Sequence, residues 1–224
     1  VIEMLRAGSP DRLPNRLDAV LLKALLVHGA EWGNLETQII NARPEVTDWR
    51  QRQSLVTRFV GYGLSDIDRA ITCTEQRATL LSDGEALEFR VPLPPSLNAR
   101  LVKRRLTITL AWMSPVNPRH AKYRAARLWV KPPDTDFSVS RMNCDWQRVQ
   151  RGTVQHEVLE GESAIPFVDG ADLVFKVNCA EDGGRLQAPV PFALCVTLEV
   201  GEGVELPIYQ EVQERVSTRI GVPG

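Results

Sequence analysis

Residues Arg104 to Trp112 read Arg-Arg-Leu-Thr-Ile-Thr-Leu-Ala-Trp, and this stretch decides the fold class. From Leu106 to Leu110 apolar and hydroxyl side chains alternate, which is the pattern of a β-strand with two unlike faces. Pro115 and Pro118 follow closely, and a proline cannot continue the hydrogen-bonded ladder of a sheet. The pattern therefore predicts a strand that ends near Trp112.

Most of the chain after residue 74 has the same strand-like pattern. Turn sequences such as Asp83-Gly84 and Asp182-Gly183-Gly184 separate the segments. Seven or so antiparallel segments of this length predict a β-sandwich or jelly roll. At the end of the chain, residues 208–216 fit a helix and a strand nearly equally well. The predicted strands are Arg77–Leu81, Ala86–Leu93, Leu106–Trp112, Ala126–Lys131, Thr153–Leu159, Leu173–Cys179 and Phe192–Val200.

The chain before residue 74 is predicted to be helical. Apolar residues are so dense between Leu17 and Val27 that we expect a helix there to be buried on most sides, with Gly29 ending it. A short amphipathic helix is predicted from Asn34 to Ala42. The fold class is therefore α+β, with a helical domain at residues 1–74 and an antiparallel β-sandwich or jelly roll at residues 75–224.

Two capping sequences mark further helices in this first part. Asp48 can cap a helix that begins at Trp49, because its carboxylate can accept hydrogen bonds from the first backbone N–H groups. Ser65 and Asp68 resemble a capping box at the start of a short helix that runs through Ile71.

Composition excludes several classes of protein. The chain has 224 residues, is 43% hydrophobic and 25% charged, and carries a formal net charge of −1, so it is neither disordered nor globally basic. No apolar run is long enough for a membrane span, and residues 1–7 contain Glu3 and Arg6 and lack the long apolar core of a signal peptide. We therefore expect no nucleic acid or membrane as a partner.

The cysteines favour a reducing compartment. Cys73, Cys144, Cys179 and Cys195 are widely spread and form no Cys-x-x-Cys pair, so neither a disulfide framework nor a structural zinc site is predicted. This pattern predicts reduced cysteines in a cytoplasmic protein.

A search for catalytic chemistry finds no motif. Gly-x-Ser-x-Gly and Gly-Thr-Ser-x-Ala are both absent. His28 is predicted to be a hydrogen-bonded core or capping residue, and His120 a solvated loop residue. The segment His156 to Glu160 lacks the second histidine of the zinc-peptidase motif and alternates like a strand. We therefore predict no catalytic residue, no cofactor-binding residue and no metal ligand.

Arginines and lysines concentrate in the middle of the chain. The first interpretation places them on solvated strand ends and loops, and the alternative is a basic groove for an acidic partner. The residues concerned are Arg100, Lys103, Arg104, Arg105, Arg119, Lys122, Arg124 and Arg127.

Four segments resemble one enzyme family in the order expected for it. Residues 21–30, Leu-Leu-Lys-Ala-Leu-Leu-Val-His-Gly-Ala, resemble the helix that follows the nucleophile-bearing helix of subtilisin-like serine peptidases. Residues 61–70, Gly-Tyr-Gly-Leu-Ser-Asp-Ile-Asp-Arg-Ala, are similar to the Gly-x-Gly segment that closes their catalytic domain. The strand that ends in Ala111-Trp112 and residues 151–157 look like the β-sandwich behind that domain. The arrangement most resembles a bacterial subset often encoded beside an AAA-type ATPase.

The resemblance implies a function for the parent polypeptide. The family's catalytic Asp, His and Ser would all lie upstream of Val1, so the chain would be a non-catalytic C-terminal part of a serine endopeptidase. Its sandwich would stabilise the catalytic domain or present a protein substrate. Residues 124–129 depart from the sequence that many relatives have there, which puts the loop's calcium and substrate roles in doubt.

The alternative function is a stand-alone β-sandwich that binds a protein or a glycan. A glycan site usually needs exposed aromatic side chains. Trp112, Trp129 and Trp146 are the candidates, although Trp112 and Trp129 look like strand-core residues.

Overall fold

The structure is a computed structural model, and it describes ten ranges of the chain. Helices and strands account for most of these residues, and the α+β class is confirmed. The predictions made for Cys73, Cys144, Trp146 and the turn at Asp83-Gly84 lie outside the described residues. The described residues are 17–72, 74, 77–82, 88–98, 100–131, 140–142, 152–161, 172–183, 185–201 and 203–220.

The strands form two open antiparallel sheets and a small ribbon. The five-stranded sheet has the order β3-β10-β5-β8-β7, the three-stranded sheet has the order β4-β9-β6, and β1 pairs with β2. The predicted segment at 104–112 is the central strand of the larger sheet. The strands are β1 Ala30–Glu31, β2 Leu64–Ser65, β3 Arg77–Ser82, β4 Glu88–Pro92, β5 Arg104–Trp112, β6 Ala126–Lys131, β7 Ser140–Met142, β8 Val154–Gly161, β9 Asp172–Glu181 and β10 Phe192–Val200.

Both sheets contribute side chains to one hydrophobic core. On β5 the apolar members of the alternation, Leu106, Ile108 and Leu110, are fully buried in this core. They meet Leu173 and Phe175 of β9 there, which the three-stranded sheet supplies. The alternation on β5 therefore specifies the face of the sheet that turns inward.

A side chain also joins the two sheets. Gln155 on β8 accepts a hydrogen bond from the backbone N–H of Val130 on β6 at 2.9 Å and donates one to the carbonyl of Val130 at 2.9 Å. These two bonds satisfy backbone groups that the neighbouring edge of β6 would otherwise leave unpaired.

Helix α1, Asp18–His28, packs on the opposite face of the larger sheet. Leu21, Ala24 and Leu25 are buried there against Ala111 of β5 and Ala193 of β10. Small side chains at these two strand positions allow the helix to approach the sheet closely.

The expectation that α1 is buried on most sides is confirmed, because only the stripe of Ala19, Leu22 and Leu26 is exposed along it. Leu22 and Leu26 lie on its outward face and are 38% and 41% exposed. The larger sheet covers one side of the helix, and the segment at residues 64–71 contacts it as well.

Four further α-helices lie in the described residues, and the predicted bounds Asn34–Ala42 are confirmed. Asp48 caps α3 by accepting a hydrogen bond from the N–H of Gln51 at 3.0 Å. The predicted cap at Ser65 is wrong, because Asp66 accepts from the N–H of Arg69 instead and Ser65 donates to the carbonyl of Leu26. The helices are α2 Asn34–Ala42, α3 Trp49–Val60, α4 Ile67–Ile71 and α5 Ile208–Ile220. The last of these decides the open choice at residues 208–216 in favour of a helix.

We expect Gly63→Ala to lower the free energy of unfolding by about 2 kcal/mol. Gly63 has φ of 106°, which a residue with a Cβ rarely adopts, and an added Cβ would lie 2.1 Å from the backbone oxygen of Glu31. Denaturant unfolding of the two proteins measures the difference. Gly203→Ala is the matched control, because Gly203 also has positive φ but open space around it. Equal losses in the two variants would show that the close approach at Gly63 has no effect.

Among the helices of the described residues, none combines the length and the apolar character that crossing a membrane requires.

Candidate functional site

The sheet face beneath α1 changes from apolar to charged along the strands. Where α1 begins, the face consists of Ala111, Val154 and Ala193. Where the helix ends, it presents hydroxyl and imidazole groups, and one step further it presents Arg105 and Glu199. The polar side chains that face α1 and the segment after it are the candidate site.

Four buried side chains are linked by hydrogen bonds across this interface, and we call them the polar chain. His28 is the last residue of α1, and its Nε2 lies 2.7 Å from the hydroxyl of Thr197 on β10. Its Nδ1 lies 2.9 Å from the hydroxyl of Thr109 on β5, which in turn lies 2.8 Å from Nδ1 of His156 on β8. All four residues are at least nine-tenths buried.

The Thr109 hydroxyl decides which group donates and which accepts in each hydrogen bond of the polar chain. A hydroxyl has one proton, so it can donate to only one of the two imidazoles and accepts from the other. Nε2 of His156 has no hydrogen-bond partner within the described part of the chain. A buried N–H without a partner is more costly than a buried acceptor. The arrangement thus favours a proton on Nδ1 of His156, and this N–H donates to the Thr109 hydroxyl. The Thr109 hydroxyl then donates to Nδ1 of His28. The Nε2–H of His28 donates in turn to the Thr197 hydroxyl.

His156 is held in its neutral form. Burial, together with the positive charges of Arg105 and Arg69, lowers the pKa of its imidazole to about 4. The ring of Tyr62 packs edge-on against it at 5.8 Å between centroids. The hydroxyl of Tyr62 donates to the carbonyl of Val154. This bond connects residues 61–63, which we call the glycine-rich turn, to β8.

An ion cluster follows at the charged end of the face. Arg69 of α4 and Arg105 of β5 share two carboxylates, Glu31 and Glu199. The closest contact given by Arg105 is 2.6 Å from Nη2 to Oε1 of Glu31. The cluster borders an open cleft of about 530 Å³ lined by Arg69, Lys103, Arg104, Arg105, Glu160, Glu199, Val200, Gly201 and Val204. It connects the helical segment to the ends of three strands.

The chemistry of the interface is that of a structural contact. Thr109 lies within hydrogen-bond distance of two imidazoles, as a nucleophile lies near its base in hydrolases. The hydroxyl, however, is fully buried in the middle of a strand, where no substrate can reach it. In the described ranges, no group of three or more His, Cys, Asp or Glu residues could hold a metal ion.

The three histidines lie where their sequence contexts indicate. His28 is a hydrogen-bonded core residue, which confirms that prediction, and His120 is exposed in the loop after β5. His156 lies in a strand, as its alternation predicts, so His156 and Glu160 do not form the helical pair of a zinc peptidase.

Of the two tryptophans predicted to be strand-core residues, one is confirmed and the other is wrong. Trp129 is not a core residue: it lies partly exposed on the outer face of β6, whereas Trp112 is fully buried. Trp112 therefore cannot contribute an exposed aromatic ring to a glycan-binding site.

Three of the basic residues are not solvated either. Arg104 is fully buried and donates to the carbonyls of Leu97 and Arg100. Burial lowers the pKa of Arg104 to about 10. Arg105 belongs to the ion cluster, and Arg124 pairs with Asp182 at 2.8 Å.

The polar chain was not predicted from the sequence, although the sequence indicates part of it. The hydroxyl members of the β5 alternation, Thr107 and Thr109, mark the face that meets α1. The hydrogen-bond partners of these threonines could not be predicted from local patterns, because His28 is 81 residues from Thr109 and 169 residues from Thr197 in the sequence.

Comparison with known proteins gives no match. This holds for protein families, for curated proteins and for solved structures.

Proposed function

We propose that the chain is the non-catalytic C-terminal part of a subtilisin-like serine endopeptidase. The parent would hydrolyse peptide bonds through an acyl-enzyme, with its Ser, His and Asp on the preceding polypeptide. Residues 1–74 would be the helical end of the catalytic domain, and residues 75–224 would form a jelly-roll-like β-sandwich from the two sheets that share a core.

The contact between residues 21–30 and 61–70 carries this proposal. These are the two segments that resemble the catalytic domain of the family, and they pack against each other. Asp66 donates its N–H to the carbonyl of Gly29 at 3.0 Å, and Ala30 pairs with Ser65. A Cβ on Gly29 would lie 2.1 Å from the backbone oxygen of Asp66, so the close packing depends on a glycine at that position. Segments of one catalytic domain would be expected to associate in this way.

The outward face of α1 also supports the proposal. Leu22 and Leu26 are one helical turn apart and are 38% and 41% exposed, although the same helix buries Leu21 and Leu25 on the sheet. A helix with apolar side chains on both faces is typical of a position between two layers. In the parent, the remainder of the catalytic domain would cover Leu22 and Leu26.

The polar chain and the ion cluster would hold the two parts together. They connect α1, the glycine-rich turn and α4 with three strands of the larger sheet. The part described here would therefore stabilise the catalytic domain or present a protein substrate to it. An AAA-type ATPase as a partner and a cytoplasmic location complete the proposal.

The reading frame upstream of Val1, followed by labelling of the intact polypeptide, tests this function. We expect a Gly-Thr-Ser-x-Ala sequence upstream, and we expect a fluorophosphonate probe to label its serine. Replacement of that serine by alanine should abolish both labelling and peptide hydrolysis. A start codon at this position, with no such sequence upstream, would overturn the proposal in favour of a stand-alone module.

We expect the 224-residue chain alone to have no peptidase activity. The only hydroxyl that contacts two imidazoles in the described residues, that of Thr109, is inaccessible to substrate and to probe. Incubation with a fluorophosphonate probe and mass spectrometry should find no adduct, and Thr109→Val should change nothing in this assay. An adduct on Thr109 would show that the interface opens and that our structural interpretation is wrong.

A further inference from the structure

Positive charge is concentrated in one continuous stretch of the sequence. Residues 89–131 contain ten of the chain's 27 arginines and lysines and none of its 28 aspartates and glutamates. This stretch therefore carries a formal charge of +10, and the remainder of the chain carries −11. The near-neutral net charge conceals a strong separation of charge.

Part of this charge reaches the solvent on one surface. β6 turns Leu128 and Val130 toward the core, so Arg127, Trp129 and Lys131 lie on the outer side of the three-stranded sheet. The guanidinium of Arg127 lies over the Trp129 ring, 5.3 Å from its centroid. We call the outer side of β4, β9 and β6 the basic face.

The basic face brings like charges together. Lys131 stands directly opposite Lys176 of β9 in the register of the two strands, an arrangement that is unfavourable unless a negative charge lies nearby. The carboxylate of Glu88 on β4 lies 3.7 Å from Nζ of Lys176 and 2.9 Å from Nη2 of Arg90, so it already forms ion pairs with two cations. Among the described residues, no ion pair within 4 Å involves Arg127 or Lys131.

The loop at residues 116–124 leads into β6 and carries further basic residues. Val116 bridges to Arg124, and the side chain of Asn117 donates to the carbonyl of Gly183 at 2.8 Å. These contacts hold Arg119 and Tyr123 in solvent, with Tyr123 63% exposed. Arg119 also has no ion pair with any described residue.

We propose that the basic face, with the loop at residues 116–124, binds a short acidic segment of another polypeptide. Side chains two residues apart on a strand are separated by about 7 Å, in the basic face and in an extended ligand alike. Arg127 and Lys131 are four residues apart on β6, so an extended segment with Asp or Glu at alternate positions would place its first carboxylate near Arg127 and its third near Lys131.

The charge distribution favours a short peptide over nucleic acid. A long polyanion would leave the basic face and meet the remainder of the chain, which carries −11. A base would also find one side of the Trp129 ring occupied by Arg127, although sequence-independent binding of single strands relies on open aromatic rings. The site is separate from the interface of α1 with the larger sheet, so the proposal does not rest on the peptidase assignment.

Fluorescence anisotropy with a labelled peptide tests the proposal on the full chain. The probe is an extended peptide of about ten residues in which glutamate and serine alternate, at an ionic strength of about 50 mM. We expect saturable binding, and we expect the double variant Lys131→Glu, Lys176→Glu to weaken it about tenfold or more. The matched control is Arg50→Glu, Arg58→Glu, which makes the same change in net charge on exposed positions of α3. It should change the affinity by less than about twofold.

Three results would overturn the proposal. They are no binding of the peptide, an equal loss of affinity in the control variant, and tighter binding of a thymidine oligonucleotide of matched charge through Lys131 and Lys176. The last result would assign the basic face to nucleic acid. Circular dichroism checks that each variant is folded. If the charge-reversed variant is not, Lys131→Gln, Lys176→Gln replaces it, with the same expected direction.

Discussion

Leu25→Asp is expected to lower the free energy of unfolding by about 4 kcal/mol. Leu25 is 2% exposed and lies between α1 and the larger sheet. The variant loses the burial of an apolar side chain and places a carboxylate where no cation can pair with it. Denaturant unfolding followed by circular dichroism measures the loss, and hydrogen exchange of the α1 amides shows whether the helix leaves the sheet.

The next residue in the chain provides the matched control for this variant. Leu26→Asp makes the same chemical change on the outward face, where the side chain is 41% exposed, and we expect a loss below about 1 kcal/mol. Equal effects at Leu25 and Leu26 would contradict the packing of α1 described here. In an intact parent peptidase, by contrast, Leu26→Asp should also be strongly destabilising, because the proposed second layer would then cover this position.

Stability is expected to fall as the pH is lowered from about 6.5 to about 4, by a total of about 3 kcal/mol from His156 alone. Burial, assisted by Arg105 and Arg69, lowers the pKa of His156 in the folded protein to about 4, whereas an unfolded histidine has its ordinary value of 6.5. The unfolded state therefore binds a proton first as the pH falls. The contribution to stability is complete above pH 6.5 and is lost as the pH approaches the folded pKa.

The comparison that isolates this contribution uses two histidine variants. Carboxylates also titrate near pH 4, so the loss between about pH 7 and pH 5 is the informative interval, where His156 should account for about 2 kcal/mol. His156→Gln should show a correspondingly smaller loss in urea unfolding over this interval, and His120→Gln, at an exposed loop position, should behave as the wild type. An unchanged pH slope in His156→Gln would show that His156 is not held neutral by the fold.

The acid response also depends on the groups around His156. Thr109 and Arg105 of β5, His28 of α1, and Tyr62 and Arg69 of the following segment face it. None of them offers a carboxylate directly to Nε2 of His156, which has no hydrogen-bond partner among the described residues. Charging His156 would therefore place a proton on Nε2, which would be a buried N–H without a partner among the described residues.

Local patterns in the sequence were enough to predict most of the helices and strands. The alternation at Leu106 to Leu110 requires only that successive side chains of a strand point to opposite sides, and this is a property of the backbone itself. The cap at Asp48 likewise depends on groups within one helical turn. Errors arose where two local solutions compete, as at Ser65 and Asp66, since either side chain can cap α4.

The sequence by itself determined the α+β class, the order of helices and strands and the inward face of β5. Only the tertiary structure decided that Thr109 contacts His28 and His156, that Arg104 is buried, and that Arg127 and Lys131 face the solvent on one sheet. These outcomes depend on which strands become neighbours and in which register, and on which face receives α1. Such choices bring together residues up to 169 positions apart, and no periodicity within a single segment encodes them.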